Sequence, residues 1–148
     1  MTEIGAMHAV EENDAIIEVR LPGERAPAGE LMVTPILQNA ASQISEYLAG
    51  ERREFTVPLR LEGSEFDLKV WKEMSAIPYG EVRTYGDLAK AIGDPRAARA
   101  VGQACHRNPI PIMVPCHRVV GSDGKLTGYA GGLALKERLL ELERDALL

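Results

Sequence analysis

Cysteine and histidine are scarce in this sequence, and their spacing excludes two kinds of protein. The 148 residues include two cysteines, Cys105 and Cys116, and three histidines. No Cys-X-X-Cys pair occurs and His8 stands alone, so the ligand spacing of a metal site is missing. Two cysteines also do not form the disulfide framework of a small secreted domain. We therefore expect no disulfide, no bound metal and no other cofactor.

Long apolar runs are absent as well, and so is the pattern of a signal peptide. A membrane-spanning helix needs about 20 mostly apolar residues, and a secretory signal needs an apolar core after a basic start. We therefore expect a soluble protein of the cytoplasm with no membrane partner. An apolar fraction of 45% is nevertheless enough for the packed core of one domain or two small ones.

Positive charge is limited and unevenly distributed. The formal net charge is −5, which by itself argues against a strongly basic surface. Residues 1–65 carry 12 acidic and 5 basic side chains, whereas residues 66–148 carry 10 acidic and 12 basic ones. Any contact with a polyanionic partner is therefore expected in the second part of the chain, and is expected to be modest and local.

The first part of the chain begins with the pattern of a small sheet. Residues 1–14 are acidic and weakly patterned, so we expect a frayed end. Ala15–Leu21 has the composition of a strand that stops at Pro22-Gly23. Residues 24–30 are rich in Gly, Ala and Pro and predict a loop.

A helix and a second strand are predicted to complete this first module. Thr34 is a suitable N-cap with Pro35 at the first helical position, and Gly50 stops the helix. Phe55–Leu61 predicts the second strand. We assign residues 1–62 to a small α/β N-terminal domain with a structural role and no chemistry of its own. The apolar face of its helix comprises Ile36, Leu37, Ala40, Ala41, Ile44, Tyr47 and Leu48.

The second part, residues 63–148, is predicted to be mostly helical. Ser64 and Asp67 have the spacing of a helix cap, and an apolar face that includes Trp71 follows. The helix is expected to end near Ile77-Pro78. We interpret Trp71 as a core residue rather than an exposed stacking surface.

A helix-turn-helix pattern follows at about residues 84–107. Thr84 and Asp87 are placed to cap a short helix that Gly93 ends. Asp94 is expected to cap a second helix, with Pro95 at its first position. This spacing is moderately specific for DNA-binding proteins.

The second helix of the pattern is amphipathic at about 100° per residue. Arg99 lies near the centre of its polar face, and Ala100 and Gly102 are small enough to let a duplex backbone come near. A solvated surface is the alternative interpretation of the same stripe. The apolar face comprises Ala97, Ala98, Val101, Ala104 and Cys105, and the polar face comprises Arg96, Arg99, Gln103 and His106.

The most distinctive stretch runs from Asn108 to Val120. Its three prolines stiffen the backbone and remove three N–H donors. Cys116 follows this apolar lead-in, and the neighbouring His117 and Arg118 are candidates to lower the pKa of its thiol. The alternative for any free cysteine is burial as a small hydrophobe, which is the interpretation we adopt for Cys105.

The remaining residues predict a turn, a glycine-rich loop and a helix. Residues 121–124 have turn composition, and the loop at 125–132 lets backbone approach a planar ligand but lacks the Lys-Ser/Thr of a phosphate loop. Glu143 lies at the edge of the apolar face of the last helix. It is either a half-buried carboxylate that needs a partner or part of a surface ion pair. The apolar face comprises Leu135, Leu139, Leu142 and Ala146.

The stretch around the cysteine resembles a known family. Pro115-Cys-His-Arg-Val-Val120, preceded by Asn108-Pro-Ile-Pro-Ile112 and followed by Gly128-Tyr-Ala-Gly-Gly-Leu133, is similar to the O6-alkylguanine-DNA alkyltransferases, or methylated-DNA–protein-cysteine methyltransferases. The similarity covers about residues 66–143, and its Pro-Cys-His-Arg-Val core is highly specific. It implies a DNA repair enzyme that transfers the alkyl group of O6-alkylguanine, or of O4-alkylthymine, irreversibly and once per molecule.

The resemblance also implies a role for individual residues. Cys116 is the alkyl acceptor, His117 takes the thiol proton through a water, and Glu143 orients that histidine. Tyr85 donates a hydrogen bond to N3 of the departing base, and Lys136 is similar to a family lysine near the site. The base pocket comprises Val119, Tyr129, Ala130, Gly131, Asn108 and Pro111, with Asn108 also acting as a hinge and Ala130 replacing the serine of some relatives.

For DNA, the resemblance implies that the second helix of the helix-turn-helix enters the minor groove of double-stranded DNA independently of sequence. Arg99 is then expected to fill the space of the flipped nucleotide, and the chain is expected to act as a monomer. The DNA-contacting residues are Arg99, Ala98, Gly102, Thr84, Arg96 and Gln103.

Three other functions match parts of the pattern. A protein that binds alkylated bases without repairing them would lack the cysteine that is present here. A helix-turn-helix regulator would need a dimerisation segment, which we do not find. A Cys-His hydrolase would need an oxyanion hole, whereas the loop at 125–132 suits a flat base.

Overall fold

The computed structural model describes residues 1–29 and 31–148. The described residues form a mixed α/β fold with two small sheets and five α-helices, as the sequence predicts in outline. In chain order the elements are β1 (His8–Glu12), β2 (Ala15–Arg20), α1 (Pro35–Leu48), α2 (Glu65–Ser75), β3 (Arg83–Thr84), α3 (Tyr85–Ala91), α4 (Ala98–His106), a 3₁₀ helix (Cys116–Arg118), β4 (Val119–Val120) and α5 (Leu133–Ala146).

Strands β1 and β2 form an antiparallel hairpin. Their two-residue turn places Asn13 and Asp14 at φ angles of 49° and 64°, the left-handed conformation that a tight hairpin turn requires. Asn and Asp adopt this conformation at low cost. The prediction of a frayed end is therefore wrong for residues 8–12, because pairing with β2 orders a stretch that has no strong pattern of its own.

The first helix begins and ends as predicted. The Oγ1 of Thr34 accepts a hydrogen bond from the backbone N–H of Leu37 at 3.1 Å, and Pro35 occupies the first turn. Gly50, at a φ of 78°, ends the helix. The loop predicted at 24–30 has no regular structure up to Gly29, and its last residue, Glu30, lies outside the described residues.

The second strand predicted for the first module does not form. Residues 55–61 are instead an extended segment held by one bridge between Ile16 and Leu59. The Ile16 N–H donates to Pro58 O at 2.9 Å and Arg60 N–H donates to Ile16 O at 3.0 Å. Pro58 has no N–H to donate, which limits the ladder to these contacts.

Helix α2 forms as predicted and packs against the helix-turn-helix. Ser64 Oγ accepts from the Asp67 N–H at 3.1 Å and caps its first turn. Trp71 is 2% exposed, and its indole N–H donates to Ala104 O in α4 at 2.9 Å. Its assignment as a core residue is confirmed.

The helix-turn-helix is present, with one change at the start of its second helix. Thr84 and Asp87 form a complete capping box at α3, as expected. Helix α4 begins at Ala98, however, and the predicted start at Pro95 is wrong. Asp94 accepts in a separate turn, from the Arg96 and Ala97 N–H groups.

The cysteine-containing segment is buried and contacts both parts of the chain. Strand β4, Val119–Val120, pairs in parallel with β3, and Arg83 lies opposite Val119. Val19 of β2 donates its N–H to Pro109 O at 2.9 Å. Ile112, buried in the lead-in, has a φ of 73°, a conformation that costs a β-branched residue roughly 1–3 kcal/mol.

One hydrophobic core joins the two predicted modules. Ile16 and Tyr47 from the first part and Trp71, Val119 and Leu139 from the second belong to the same buried cluster. This shared core brings α1 against the cysteine segment and α5. Within residues 1–29 and 31–148, no helix is both long and apolar enough to cross a bilayer.

Candidate active site

Cys116 is the first residue of the 3₁₀ helix, and its side chain is 9% exposed. Asn108 fixes the path of the segment that leads to it. The Asn108 amide donates to Val114 O at 2.8 Å, and its Oδ1 accepts from the Ile110 N–H at 3.0 Å. The Cys116 N–H donates to Val114 O at 2.8 Å. The thiol is therefore held on a backbone that is tied at several points.

Burial raises the pKa of the Cys116 thiol, while Asn108 and Lys136 act in the opposite direction. The expectation that His117 and Arg118 lower this pKa is wrong. Both side chains hydrogen-bond to Glu143 instead, and the guanidinium of Arg118 forms an ion pair with that carboxylate. The thiol at neutral pH is therefore protonated and needs a base before it can react.

His117 and Glu143 form a fully buried pair. The Nε2 of His117 lies 2.6 Å from Oε2 of Glu143, and the two side chains are 0% and 1% exposed. Among the described residues, no group bonds to Nδ1 of His117. Burial lowers the pKa of His117, although Glu143 opposes this effect. The imidazole is therefore neutral, with its Nε2–H donated to the carboxylate and the Nδ1 lone pair free.

Glu143 is held by four further donors. Arg118 donates from Nε and Nη2 at 2.8 and 3.0 Å, and the Gly80 N–H donates at 3.1 Å. The hydroxyl of Tyr47 donates to Oε2 at 2.5 Å. Burial alone would raise the pKa of Glu143, but the hydrogen bonds from His117, Arg118 and Tyr47 outweigh it and lower the pKa to about 2. The carboxylate is thus ionised and fully buried rather than half-buried at a surface.

Tyr47 was not identified from the sequence as a site residue. It lies on α1, 96 positions from Glu143 in the chain, and its hydroxyl is also 3.3 Å from His117 Nε2. In the sequence it is one of seven apolar-face positions of a helix, so no local signal separates it from its neighbours.

Tyr85 is the first residue of α3, and its ring packs beside α4. A Cβ built on Gly102 would lie 3.7 Å from that ring. The Tyr85 hydroxyl is hydrogen-bonded to Oγ1 of Thr127 in the glycine-rich loop. Burial raises the pKa of Tyr85, so the phenol stays protonated and able to donate.

The residues predicted to line a base pocket differ in their exposure to solvent. Val119 is 0% exposed, Pro111 is buried, and Ala130 is exposed. The Tyr129 hydroxyl is buried without a hydrogen-bond partner in the described chain. A Cβ built on Gly131 would lie 2.5 Å from a terminal methyl of Leu135 and 3.2 Å from one of Leu21, so a larger residue here would require these side chains to move.

Lys136 ties the glycine-rich loop to α5. Its side chain is 1% exposed, and Nζ donates to Thr127 O at 3.1 Å. Burial lowers the pKa of Lys136, while Cys116 and Cys105 oppose this effect. Lys136 is thus a buried amine whose pKa is coupled to both thiols.

The polar face predicted for the DNA-binding helix is exposed, but Arg96 lies before α4, because the helix begins only at Ala98. Arg96, Arg99 and Gln103 are exposed, whereas Ala98 and Gly102 are half-buried. Thr84 lies at the start of α3, where its hydroxyl caps the helix. The structure thus gives one exposed polar helix face and, in the cysteine segment, a buried thiol next in the chain to the histidine of a histidine–carboxylate pair.

Comparison with known proteins identifies the family of the chain. The chain matches the family model described as 6-O-methylguanine DNA methyltransferase, DNA binding domain, over residues 65–145. It matches the ribonuclease-like domain of the same methyltransferases over residues 1–61.

Named relatives and solved structures cover most of the chain. It is 58% identical over 106 residues to the methylated-DNA–protein-cysteine methyltransferase of Methanosarcina acetivorans, covering 72% of this chain and 68% of the relative. It is 46% identical to the constitutive enzyme of Bacillus subtilis, covering 97% and 92%. The crystal structure of Mycobacterium tuberculosis OGT in complex with DNA superposes with a TM-score of 0.90 at 44% identity, covering 97% and 89%. This chain therefore belongs to the 6-O-methylguanine DNA methyltransferase family.

Proposed function

We propose that the protein repairs DNA by direct reversal, with Cys116 as the acceptor of the alkyl group from O6-alkylguanine and from O4-alkylthymine. The observation that carries this proposal is the geometry of His117, which follows the buried Cys116 in the chain. Its Nε2 lies 2.6 Å from Glu143 Oε2, and its Nδ1 has no hydrogen-bond partner among the described residues. Such an arrangement suits one deprotonation at a packed sulfur.

Activation of the thiol follows from the pKa directions at the site. Since burial keeps Cys116 protonated and His117 neutral, the imidazole takes the thiol proton at Nδ1 through a bridging water. Glu143 then stabilises the imidazolium and holds the ring in place, as the carboxylate does in a catalytic triad.

The transfer itself is an in-line displacement. A C–S bond forms at Cys116 as the bond between the alkyl carbon and guanine O6 breaks, and the electron pair goes to the guanine. In this proposal Tyr85 donates a hydrogen bond to N3 of the base as this charge develops. Its hydroxyl must then give up its hydrogen bond to Thr127. The product thioether is stable, so each molecule acts once.

The base pocket is proposed to form around the glycine-rich loop. Backbone groups of Cys116 and Val119 read the edge of the base, and Asn108 ties α4 to the cysteine segment through Val114. The side chains and backbone proposed to line the pocket belong to Pro111, Tyr129, Ala130 and Gly131.

DNA is proposed to bind through α4 in the minor groove, with the target base flipped out. The small Ala98 and Gly102 let the helix approach, and Arg99 takes the place of the extruded nucleotide. Thr84, Arg96 and Gln103 contact the backbone without reading sequence. The exposed face of α4 supports this proposal, and the similarity to a structure solved in complex with DNA supports DNA as the partner.

We also propose that the chain acts as a monomer in the cytoplasm, where DNA is accessible and thiols stay reduced. Its domains are proposed to divide at residues 62 and 63, giving the N-terminal module 1–62 and the catalytic domain 63–148. The family matches at 1–61 and 65–145 support this boundary.

The test is incubation with a duplex oligonucleotide that carries O6-methylguanine, followed by intact-protein mass measurement. We expect a stoichiometric gain of one methyl group that Cys116→Ala abolishes while duplex binding is retained. Retained binding without any gain by the wild-type protein would instead indicate a lesion-binding protein and would overturn the proposal.

A further inference from the structure

We infer that Tyr47 is a positioning residue of the repair reaction, through which the N-terminal module sets the orientation of the Glu143 carboxylate and hence of His117. This inference rests on the proposed function, since it concerns the same base. It also revises the assignment of residues 1–62 to a purely structural role. The inference depends on the contacts of one hydroxyl group.

The Tyr47 hydroxyl shares its acceptor with the proposed base. Oε2 of Glu143 accepts from Tyr47 at 2.5 Å, from His117 Nε2 at 2.6 Å and from Arg118 Nη2 at 3.0 Å. The same phenol oxygen lies 3.3 Å from His117 Nε2. Tyr47 therefore contacts both members of the pair, and no other side chain of residues 1–29 and 31–62 hydrogen-bonds to either of them.

Packing leaves the hydroxyl little freedom to point elsewhere. Tyr47 is 0% exposed. Its ring centroid lies 5.6 Å from that of Phe55, 6.2 Å from that of Tyr79 and 6.3 Å from that of His117. Aromatic neighbours on three sides hold the ring, so the hydrogen bond is set by the fold.

A donor at Oε2 changes how strongly the carboxylate holds a protonated imidazole. The phenol stabilises the negative charge of Glu143, so the carboxylate attracts the imidazolium less strongly. The other groups that act on His117 are Glu143 and Lys136 of α5 and the adjacent Arg118. Removing the hydroxyl leaves these in place, so His117 should become easier to protonate and less well oriented.

The experiment measures single-turnover methyl transfer from an O6-methylguanine duplex as a function of pH. It uses the full chain and three variants: Tyr47→Phe, Tyr79→Phe and Glu143→Gln. Tyr47→Phe removes the hydroxyl and keeps the packed ring. Tyr79→Phe is the matched control, because the neighbouring Tyr79 hydroxyl is buried without a hydrogen-bond partner among the described residues.

For Tyr47→Phe we expect transfer to be roughly tenfold slower, as a base that is present but poorly oriented loses part of its contribution. We also expect the acid limb of the pH–rate profile to move to higher pH. Tyr79→Phe should match the wild-type protein in both measurements. Thermal melting of each variant shows the cost in stability separately.

Two outcomes would overturn the inference. The first is a Tyr47→Phe variant with the wild-type rate and the wild-type pH–rate profile. The second is a variant with a slower rate and a lower melting temperature but an unmoved acid limb, because these are the effects expected of a purely structural tyrosine. Glu143→Gln separates this from failure of the proposed function. If Glu143→Gln transfers at the wild-type rate, the histidine–carboxylate mechanism itself is wrong. If it is slow and Tyr47→Phe is not, only the role of Tyr47 is wrong.

Discussion

Glu143 is a buried carboxylate that accepts hydrogen bonds at both oxygens. Both oxygens are occupied, by Arg118, His117, Tyr47 and the Gly80 N–H. A buried charge is tolerated only with such partners. The residue therefore supports the fold and the proposed chemistry through the same contacts.

Replacement of Glu143 by Ala should lower the free energy of unfolding by about 3–5 kcal/mol, because the Arg118 guanidinium would stay buried without a counter-charge. Urea unfolding measures this. The control is Glu141→Ala, an exposed position on the same helix, for which we expect less than about 0.5 kcal/mol. Equal stability of the two variants would contradict the burial of the Arg118–Glu143 pair.

Stability should also depend on pH through His117. Burial holds the pKa of folded His117 below its ordinary 6.5, so the unfolded chain binds more protons in the window just below pH 6.5. The free energy of unfolding must then fall as pH drops through that window. Glu143 adds a second loss as pH falls from about 4.5 to about 2.

Urea unfolding at a series of pH values checks this dependence. His106→Gln serves as the control, since His106 is exposed, and the variant should keep the wild-type slope. Unfolding free energies that stay constant from neutral pH into the acid range would show that His117 is not buried in its neutral form.

Helices and turns in this chain differ in how well local sequence predicts them. Thr34-Pro35, Ser64 and the Thr84–Asp87 pair begin helices where the sequence indicates, because a cap is satisfied by neighbours three residues away. Asp94 has the same chemistry, yet its bonds close a separate turn and α4 begins at Ala98. The local sequence does not show whether the backbone N–H groups bonded to an aspartate belong to the first turn of a helix or to a separate turn.

Strands depend on partners that the local sequence does not contain. His8–Glu12 forms a strand because β2 pairs with it, and residues 55–61 do not form one because Pro58 interrupts the ladder. The contact between Tyr47 and Glu143 belongs to the same class, since it joins two helices far apart in the chain. The cysteine motif could be found from sequence, whereas this contact required the fold.

At helix α4, Arg99→Ala should slow repair of a duplex and leave repair of free O6-methylguanine base unchanged. The free base needs no flipping, so only the duplex reaction loses the side chain that fills the vacated space. Rates on the two substrates measure the effect. The control is Arg138→Ala, an exposed arginine on α5, which should leave both rates unaltered. Unchanged duplex repair by Arg99→Ala would argue against a role of Arg99 in flipping.

The two parts of the chain share one core, and charge is divided between them. Residues 1–65 carry 12 acidic and 5 basic side chains, while the exposed Arg99 of α4 and the exposed Arg96 before it lie in the second part. Few phosphates can be neutralised by so few basic residues, so duplex affinity should fall only shallowly with salt. The uneven distribution of charge between the two parts can be predicted from sequence alone, because it depends on composition rather than on contacts.

The spent molecule should be less stable than the fresh one. Cys116 is 9% exposed and packed among core residues, and an added methyl in a filled site costs about 1–3 kcal/mol. Thermal melting before and after stoichiometric reaction with methylated duplex checks this. Incubation with unmethylated duplex is the control and should leave the melting temperature of the protein unchanged. Equal melting of the methylated and unmethylated protein would contradict a tightly packed acceptor.

The most direct measurement of the central claim is peptide mapping by mass spectrometry after reaction with an O6-methylguanine duplex. The chain carries a second thiol, Cys105, whose pKa burial raises to about 12, and it serves as an internal control. We predict one methyl group per molecule, located on Cys116. In His117→Ala we predict no methyl group on Cys116 at short reaction times. A methyl group on Cys105, or on any residue other than Cys116, would contradict the account.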